Sequence, residues 1–202
     1  MPVVTIGIIV VNFVVWGLEL QGGDAFVLKW AAVPERITVE HQWITVFTAM
    51  FLHGSWSHIL GNMIFLWAFG PETEDAMGPG RYLVFYLLGG LVSLSAQVAL
   101  SPTSTLPTLG ASGAIAAVMG SFLVTYPRDR IKVLLIILIF VRVTFIPAAL
   151  LIGVWFLTQL VSLGSITNTQ GGGVAYAAHV AGVIFGMLTG RLFERQSQTV
   201  AE

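Results

Sequence analysis

The chain alternates long apolar runs with short polar breaks, and the run lengths suit helices rather than strands. A helix rises about 1.5 Å per residue, so roughly 20 residues cross about 30 Å of hydrocarbon. Six segments read as spans, near Val3–Leu20, Ser57–Pro71, Tyr82–Leu100, Ser112–Tyr126, Pro147–Leu163 and Ala175–Leu192. Several are short for that thickness, so local bilayer thinning must take up the mismatch. Another apolar run, Val133–Val141, would extend only about 13 Å as a helix, too short to cross. Arg142 ends it and Pro147 restarts the pattern, so it reads as an interfacial or re-entrant piece before the fifth span. Residues 21–56 then form an outer loop, 196–202 a disorder-prone tail, and 1–202 a single membrane domain.

Composition agrees with that pattern. Of 202 residues, 56% are hydrophobic and 9% charged, whereas a soluble domain carries about 25% charged residues. The predicted fold class is all-α, a polytopic bundle whose first partner is the lipid bilayer. A net charge of −1 gives no reason to expect nucleic acid as a partner. With no cysteine, disulfides, thiolate metal ligands and a cysteine nucleophile are excluded. The first apolar run follows Met1 without a basic stretch and continues into Gly17-Leu18-Glu19, which reads as a retained span rather than a signal peptide.

Basic residues set the expected orientation. Arg81, Arg128, Arg130, Lys132, Arg142, Arg191 and Arg195 fall at one set of ends, Lys29 and Arg36 in the opposite loop. Cytoplasmic loops collect Lys and Arg, so both termini are expected inside, with residues 21–55 outside. Trp30, Trp43 and Trp56 of that loop are amphipathic rings suited to an interface. On this topology the second, fourth and sixth spans run inward, and His58, Ser112 and His179 lie near their outer starts. The distances inward to Glu72, Arg128 and Arg191 are 14, 16 and 12 residues, or about 21, 24 and 18 Å of helix. Three polar groups thus reach one depth.

Their chemistry is specific. A hydroxyl at a helix N-terminus, as at Ser112, sits beside unpaired N–H groups that favour a developing anion. Gly110 and Gly113 flank it and permit a tight entry. Alone, Gly110-Ala-Ser-Gly-Ala114 reads first as an ordinary small-residue packing face. His179 adds the second half of the pair. Gly182 and Gly186 follow it on one helix face, which can dock on the Ser112, Ala116 and Gly120 face and bring imidazole to hydroxyl. A histidine bonded to a backbone carbonyl is the alternative reading. His58 and Asn62, one turn apart, can both donate to an oxyanion, or else bind helix to helix. His53 reads as bracing its loop and His41 as a surface residue. No acid falls beside the pair, so the expected site is a dyad oriented by packing, with His179 as general base and then general acid. It requires neither metal nor cofactor.

Four stretches together resemble the rhomboid intramembrane serine proteases: His53-x-x-x-x-His58-x-x-x-Asn62, Gly70-Pro-Glu-Thr-Glu74-Asp-Ala-Met-Gly78, Gly110-Ala-Ser112-Gly113 and Ala178-His179-Val-Ala-Gly182. The resemblance implies a six-helix bundle, Ser112 as nucleophile, His179 as base, His58 and Asn62 in an oxyanion hole, and Glu74 as a structural acid. It also implies a single-span membrane protein as substrate, cut near its outer end through an acyl-enzyme, and a place in the cell membrane of a prokaryote. Two departures stand out. Family members often carry an aromatic four residues after the serine, packed on the base, where this chain has Ala116. Some carry a Trp-Arg pair in the outer loop, where Trp43 here precedes Ile44.

A bilayer core holds no water, so hydrolysis requires a cavity open to the outside. A helical carbonyl is already bonded to the i+4 amide, so small or helix-weakening residues are expected at the cut. Gly164–Gly173 reads as a flexible loop capping the site, with the fifth span moving aside to admit substrate. Two rival functions use the same residues differently. A non-catalytic relative would bind and unwind membrane clients, and a transporter would hold a cation on His53, His58 and His179.

Overall fold

The computed structural model describes residues 1–137, 140–165 and 175–195. Helix α1 (Val3–Trp30) leads to α2 (Pro34–Val39), α3 (Ile44–Thr48) and a 3-10 turn at Ala49–Phe51. Then come α4 (Trp56–Met77), α5 (Pro79–Leu100) and α6 (Ser112–Thr125). Strands β1 (Arg130–Ile137) and β2 (Phe140–Pro147) precede α7 (Ala148–Ser165) and α8 (Tyr176–Phe193).

The expected helices are present, with ends set by local chemistry. Ser55 caps α4 by accepting the His58 N–H at 3.1 Å, as a short hydroxyl at that position does. Pro71 lies inside α4. It removes one backbone donor, yet the helix continues to Met77 because Phe69, Gly70, Thr73 and Glu74 are all buried around it. Gly78, at φ 78°, then turns the chain, and Pro79 opens α5 with its φ already helical. Helix α1 outruns the predicted Leu20 and reaches Trp30, broken at Gly23 by a non-helical φ of 60°.

Helix α6 is the axis. Every residue from Gly113 to Phe122 is buried, and α4, α5 and α8 pack around it. The outer faces of the surrounding helices are apolar and exposed, with Val10, Val14 and Leu18 on α1, Ile64 and Trp67 on α4, and Leu188 and Leu192 on α8. Faces of that kind suit lipid as solvent. Among the described residues α1, α5 and α8 are long and apolar enough to cross a membrane, and α6 and α7 are shorter apolar helices.

The all-α expectation fails between Arg130 and Pro147. Here the chain forms an antiparallel hairpin, with Lys132 opposite Phe145 and Leu134 opposite Val143. The run Val133–Val141 therefore divides between two strands. Its composition explains this, since Val133, Ile136, Ile137, Val141, Val143, Thr144 and Ile146 are β-branched and suit a pleated sheet. Ile131, Val133, Thr144 and Ile146 are half-buried on one face, while Lys132, Leu134, Val143 and Phe145 are exposed on the other. The residues between the strands and all of 196–202 lie outside the described residues, as does most of Gly164–Gly173, of which Gly164 and Ser165 end α7.

The end of the bundle away from Ser112 is tied by polar contacts. Arg81 donates to the Glu194 carbonyl at 2.9 Å and Arg191 to the Val124 carbonyl at 2.7 Å. Buried Glu74 accepts from the Val4 and Thr5 amides at 3.0 and 2.8 Å and from the Thr5 hydroxyl at 2.8 Å. It thereby caps α1 from another helix, satisfying first-turn amides that have no intrahelical partner. Replacing Glu74 with Ala strands those donors, at an expected cost of about 2–4 kcal/mol. Thermal unfolding in detergent should rank wild type above Glu74→Gln above Glu74→Ala.

Candidate active site

The small-residue faces of α6 and α8 meet backbone to backbone. A side-chain carbon at Gly120 would collide with the Val183 carbonyl, one at Gly182 with the Gly113 carbonyl, and one at Gly186 with the Ala117 carbonyl. Glycine at these positions is what lets the two helices approach so closely. The consequence lies at their outer ends, where His179 Nε2 stands 2.7 Å from Ser112 Oγ.

The backbone leading to Ser112 is fixed by the outer segment. Thr108 and Ala32 exchange backbone hydrogen bonds of 2.8 and 3.0 Å, and the Gly110 N–H donates to the Ala49 carbonyl at 2.9 Å. Gly110 has φ 125°, a conformation that glycine adopts without strain. Its α-hydrogen side faces the site, because a carbon built there lies 2.8 Å from His58 Nε2 and 3.6 Å from Ser112 Oγ. Gly113 faces elsewhere. A carbon there would strike Ser93 of α5, whose hydroxyl bonds the Gly89 and Gly113 carbonyls at 2.6 and 3.1 Å.

His58 is half-buried and its Nδ1 accepts from the Gly54 N–H at 3.4 Å, leaving Nε2 toward Gly110. Asn62, one turn along α4, is buried with its side-chain N–H group unpartnered among the described residues. His53 stands edge-on to His58, with ring centroids 5.1 Å apart. Burial, with His58 adding to it, pushes its imidazole down to about 4, so it is neutral at pH 7. Its backbone N–H donates to both carboxylate oxygens of Glu19 at 3.1 Å. Glu19 of α1 is thus a buried brace for this loop. No three of His, Asp and Glu gather into a metal-binding group among the described residues.

Two residues on α7 were not anticipated. Gln159 Oε1 lies 2.7 Å from His179 Nδ1, and the Trp155 ring lies over the imidazole at a centroid distance of 5.4 Å. His179 was expected to be held by packing alone. A hydrogen bond and an aromatic face hold it instead. A glutamine in a mostly apolar helix was the available signal, since polar groups in such segments are costly and seldom idle.

The rhomboid-domain family model matches residues 40–196. The chain belongs to the rhomboid family. Among curated relatives, Rhomboid protease GluP of Bacillus subtilis is 30% identical over 116 residues, 56% of this chain and 22% of that protein. Rhomboid protease GlpG of Pectobacterium atrosepticum is 32% identical over 184 residues, 91% and 60% of the two chains. Rhomboid protein 1, mitochondrial, of Saccharomyces cerevisiae is 28% identical over 199 residues, 93% and 54%. The chain thus spans less than two thirds of the length of each of these relatives. Family membership and the apolar helices make it an integral membrane protein.

For a rhomboid, Ala116 first reads as a missing support, because the aromatic expected there would pack on the base. The structure supplies the ring from Trp155 of α7. Ala116 meanwhile lies in the close contact with Gly182, whose added carbon would sit 3.0 Å from Ala116 Cβ. A large ring at 116 would face that glycine.

Gly110→Ala puts a methyl group between His58 and Ser112 at a φ that costs a non-glycine residue about 1–2 kcal/mol. The variant should unfold at a lower temperature and label poorly at Ser112 with a fluorophosphonate. Equal labelling of variant and wild type would remove the space beside Gly110 from the site.

Proposed function

We propose that this rhomboid is an intramembrane serine endopeptidase with Ser112 as nucleophile and His179 as general base. The observation that carries the reading is the 2.7 Å contact between His179 Nε2 and Ser112 Oγ, at the N-terminus of a helix whose interior is buried. The named relatives GluP and GlpG are rhomboid proteases, which supports the same reaction class.

In this reading α1, α4, α5, α6, α7 and α8 span the membrane. The end bearing Arg81, Arg191 and Arg195 faces the cytoplasm, together with both termini. Bacterial relatives favour the cell membrane of a prokaryote. The substrate is a single-span membrane protein, cut near the outer end of its span. Locally unwound, it presents a carbonyl carbon to Ser112 Oγ. As the C–O bond forms, the hydroxyl proton passes to His179 Nε2 and the carbonyl π electrons move onto oxygen. The resulting oxyanion is met by His58 Nε2–H, the Asn62 side-chain N–H and the Ser112 backbone N–H. Collapse expels the amine, which takes the proton from His179 and leaves an acyl-enzyme. Water, activated by the same imidazole, then frees the acid and restores the hydroxyl. A small cavity lined by Met50, Gly90, Leu94, Gly110, Ser112 and Ala178 adjoins the nucleophile. Its small apolar walls suit a small side chain beside the cut bond.

Purified protein in liposomes, given a single-span substrate, tests the reading. Ser112→Ala and His179→Ala should each lower cleavage by about 10³-fold or more while remaining folded, and a fluorophosphonate should label Ser112. Undiminished cleavage by Ser112→Ala would end it.

Helix α7 packs chiefly on α8 and serves as the gate that moves aside for substrate. Because the chain has no cysteine, a pair introduced on α4 and α7 can be cross-linked on a clean background. The cross-link should slow cleavage of the membrane substrate and leave fluorophosphonate labelling intact. Unchanged turnover would move the entry elsewhere.

A further inference from the structure

We infer that Gln159 is the third member of the catalytic assembly, a positioning residue that fixes the tautomer of His179. The inference rests on the proposed Ser112–His179 reading. Its basis is the direction of a chain of hydrogen bonds. The Trp155 carbonyl can only accept, and it takes the Thr158 hydroxyl proton at 2.6 Å. The Thr158 oxygen then accepts from Gln159 Nε2 at 3.1 Å, and the Trp155 carbonyl also takes a longer Nε2 bond of 3.4 Å. With its amide nitrogen committed inward along α7, Gln159 turns its oxygen to His179 Nδ1 at 2.7 Å.

An amide oxygen has no proton to give. Nδ1 must therefore carry the hydrogen, and the lone pair falls on Nε2, the atom 2.7 Å from Ser112 Oγ. That is the tautomer able to take the serine proton. The opposite tautomer would place N–H against the hydroxyl and leave Nδ1 facing an oxygen lone pair. When Ser112 passes its proton to Nε2, the imidazolium keeps its Nδ1–H on Gln159, and the proton on Nε2 goes to the leaving amine. No charge moves onto the glutamine.

Gln159 and His179 are both buried, so bulk water does not supply a substitute acceptor. Other groups facing the ring are few. Helix α6 contributes the Ser112 hydroxyl, α7 the neutral Gln159 and Trp155, and α4 His58, the titratable neighbour whose charge bears on it. Ser93 of α5, next to Gly182, is uncharged. A carboxylate placed at 159 would be the first anion against this imidazole among the described residues.

The test uses the full chain in liposomes, with kcat, KM and the pH profile measured for wild type, Gln159→Leu and Gln159→Glu. Gln159→Leu, which keeps the volume and removes the acceptor, should lower kcat about 10- to 100-fold with KM within about twofold. Gln159→Glu restores an acceptor, so kcat should recover toward wild type at alkaline pH. A nearby anion favours the imidazolium, so the acid limb of the pH–rate profile should move up by about 1 unit or more. The shift requires the side chain at 159 to face Nδ1, so a residue packed away from the ring would not move that limb. If Gln159→Leu fails to fold, the nearly isosteric Gln159→Glu and its pH limb decide alone. Wild-type kcat in Gln159→Leu, or an unmoved limb in Gln159→Glu, overturns the inference while Ser112→Ala remains inactive. Activity retained by Ser112→Ala would instead overturn the reading beneath it.

Discussion

The approach of α6 to α8 is the constraint on which the arrangement depends. Helices packed through ordinary side chains keep their axes about 8–10 Å apart. Here the α-carbons of Gly120, Gly182 and Gly186 face the partner helix's carbonyls, with no space for a β-carbon. Lipid gives no hydrophobic drive for helices to associate, so such contact must come from fitted surfaces and polar bonds. One further hydrogen bond of 2.7 Å closes the interface at its outer end, and it joins the two groups proposed to do the chemistry. The packing seam and the site are one continuous surface.

The outer segment makes that seam usable. A serine at a helix start has value only if the backbone before it is fixed, because the amides beside it must point to one place. The Ala32–Thr108 pairing and the Gly110–Ala49 bond fix it from one side. Glu19 reaches up from α1 to hold the His53 backbone, and His53 in turn lies against His58. Thus a helix that touches none of the proposed reacting groups still sets the position of His58, a proposed oxyanion donor. Toward the other end Glu74 closes the N-terminus of the same helix, so carboxylate contacts tie α1 to the bundle at two separate points.

Much of this was legible in the residues. The docking of the small face of α6 on that of α8, which brings His179 to Ser112, follows from helical spacing, and a structural place for Glu74 follows from the family resemblance. What escaped has physical causes. Val133–Val141 was judged by helix length, and apolar periodicity cannot separate a short buried helix from a strand. The β-branched residues of the hairpin carried the information that length did not. Helix α4 outran Pro71 because packing on both sides offsets one lost backbone bond. Gln159 carries no charge, and only an acid beside the pair marks a third member in sequence. An amide can orient an imidazole, more weakly than a carboxylate does, without fixing a charge in lipid.

That choice of an amide bears on how the site can open. On the proposed reading α7 has two tasks, since it carries Gln159 and Trp155 against the base and it also moves aside for substrate. A buried carboxylate paired with an imidazolium would make the second task expensive, because separating such a pair costs about 3–5 kcal/mol. A neutral hydrogen bond contributes only about 0.5–1.5 kcal/mol. Binding of a substrate segment can match that, and the bond re-forms when the helix returns. The base is therefore correctly oriented when α7 is seated and loosely held when it is not. Water entering an open gate meets a base without its positioning partner, and a substrate enclosed by the seated helix meets a complete one.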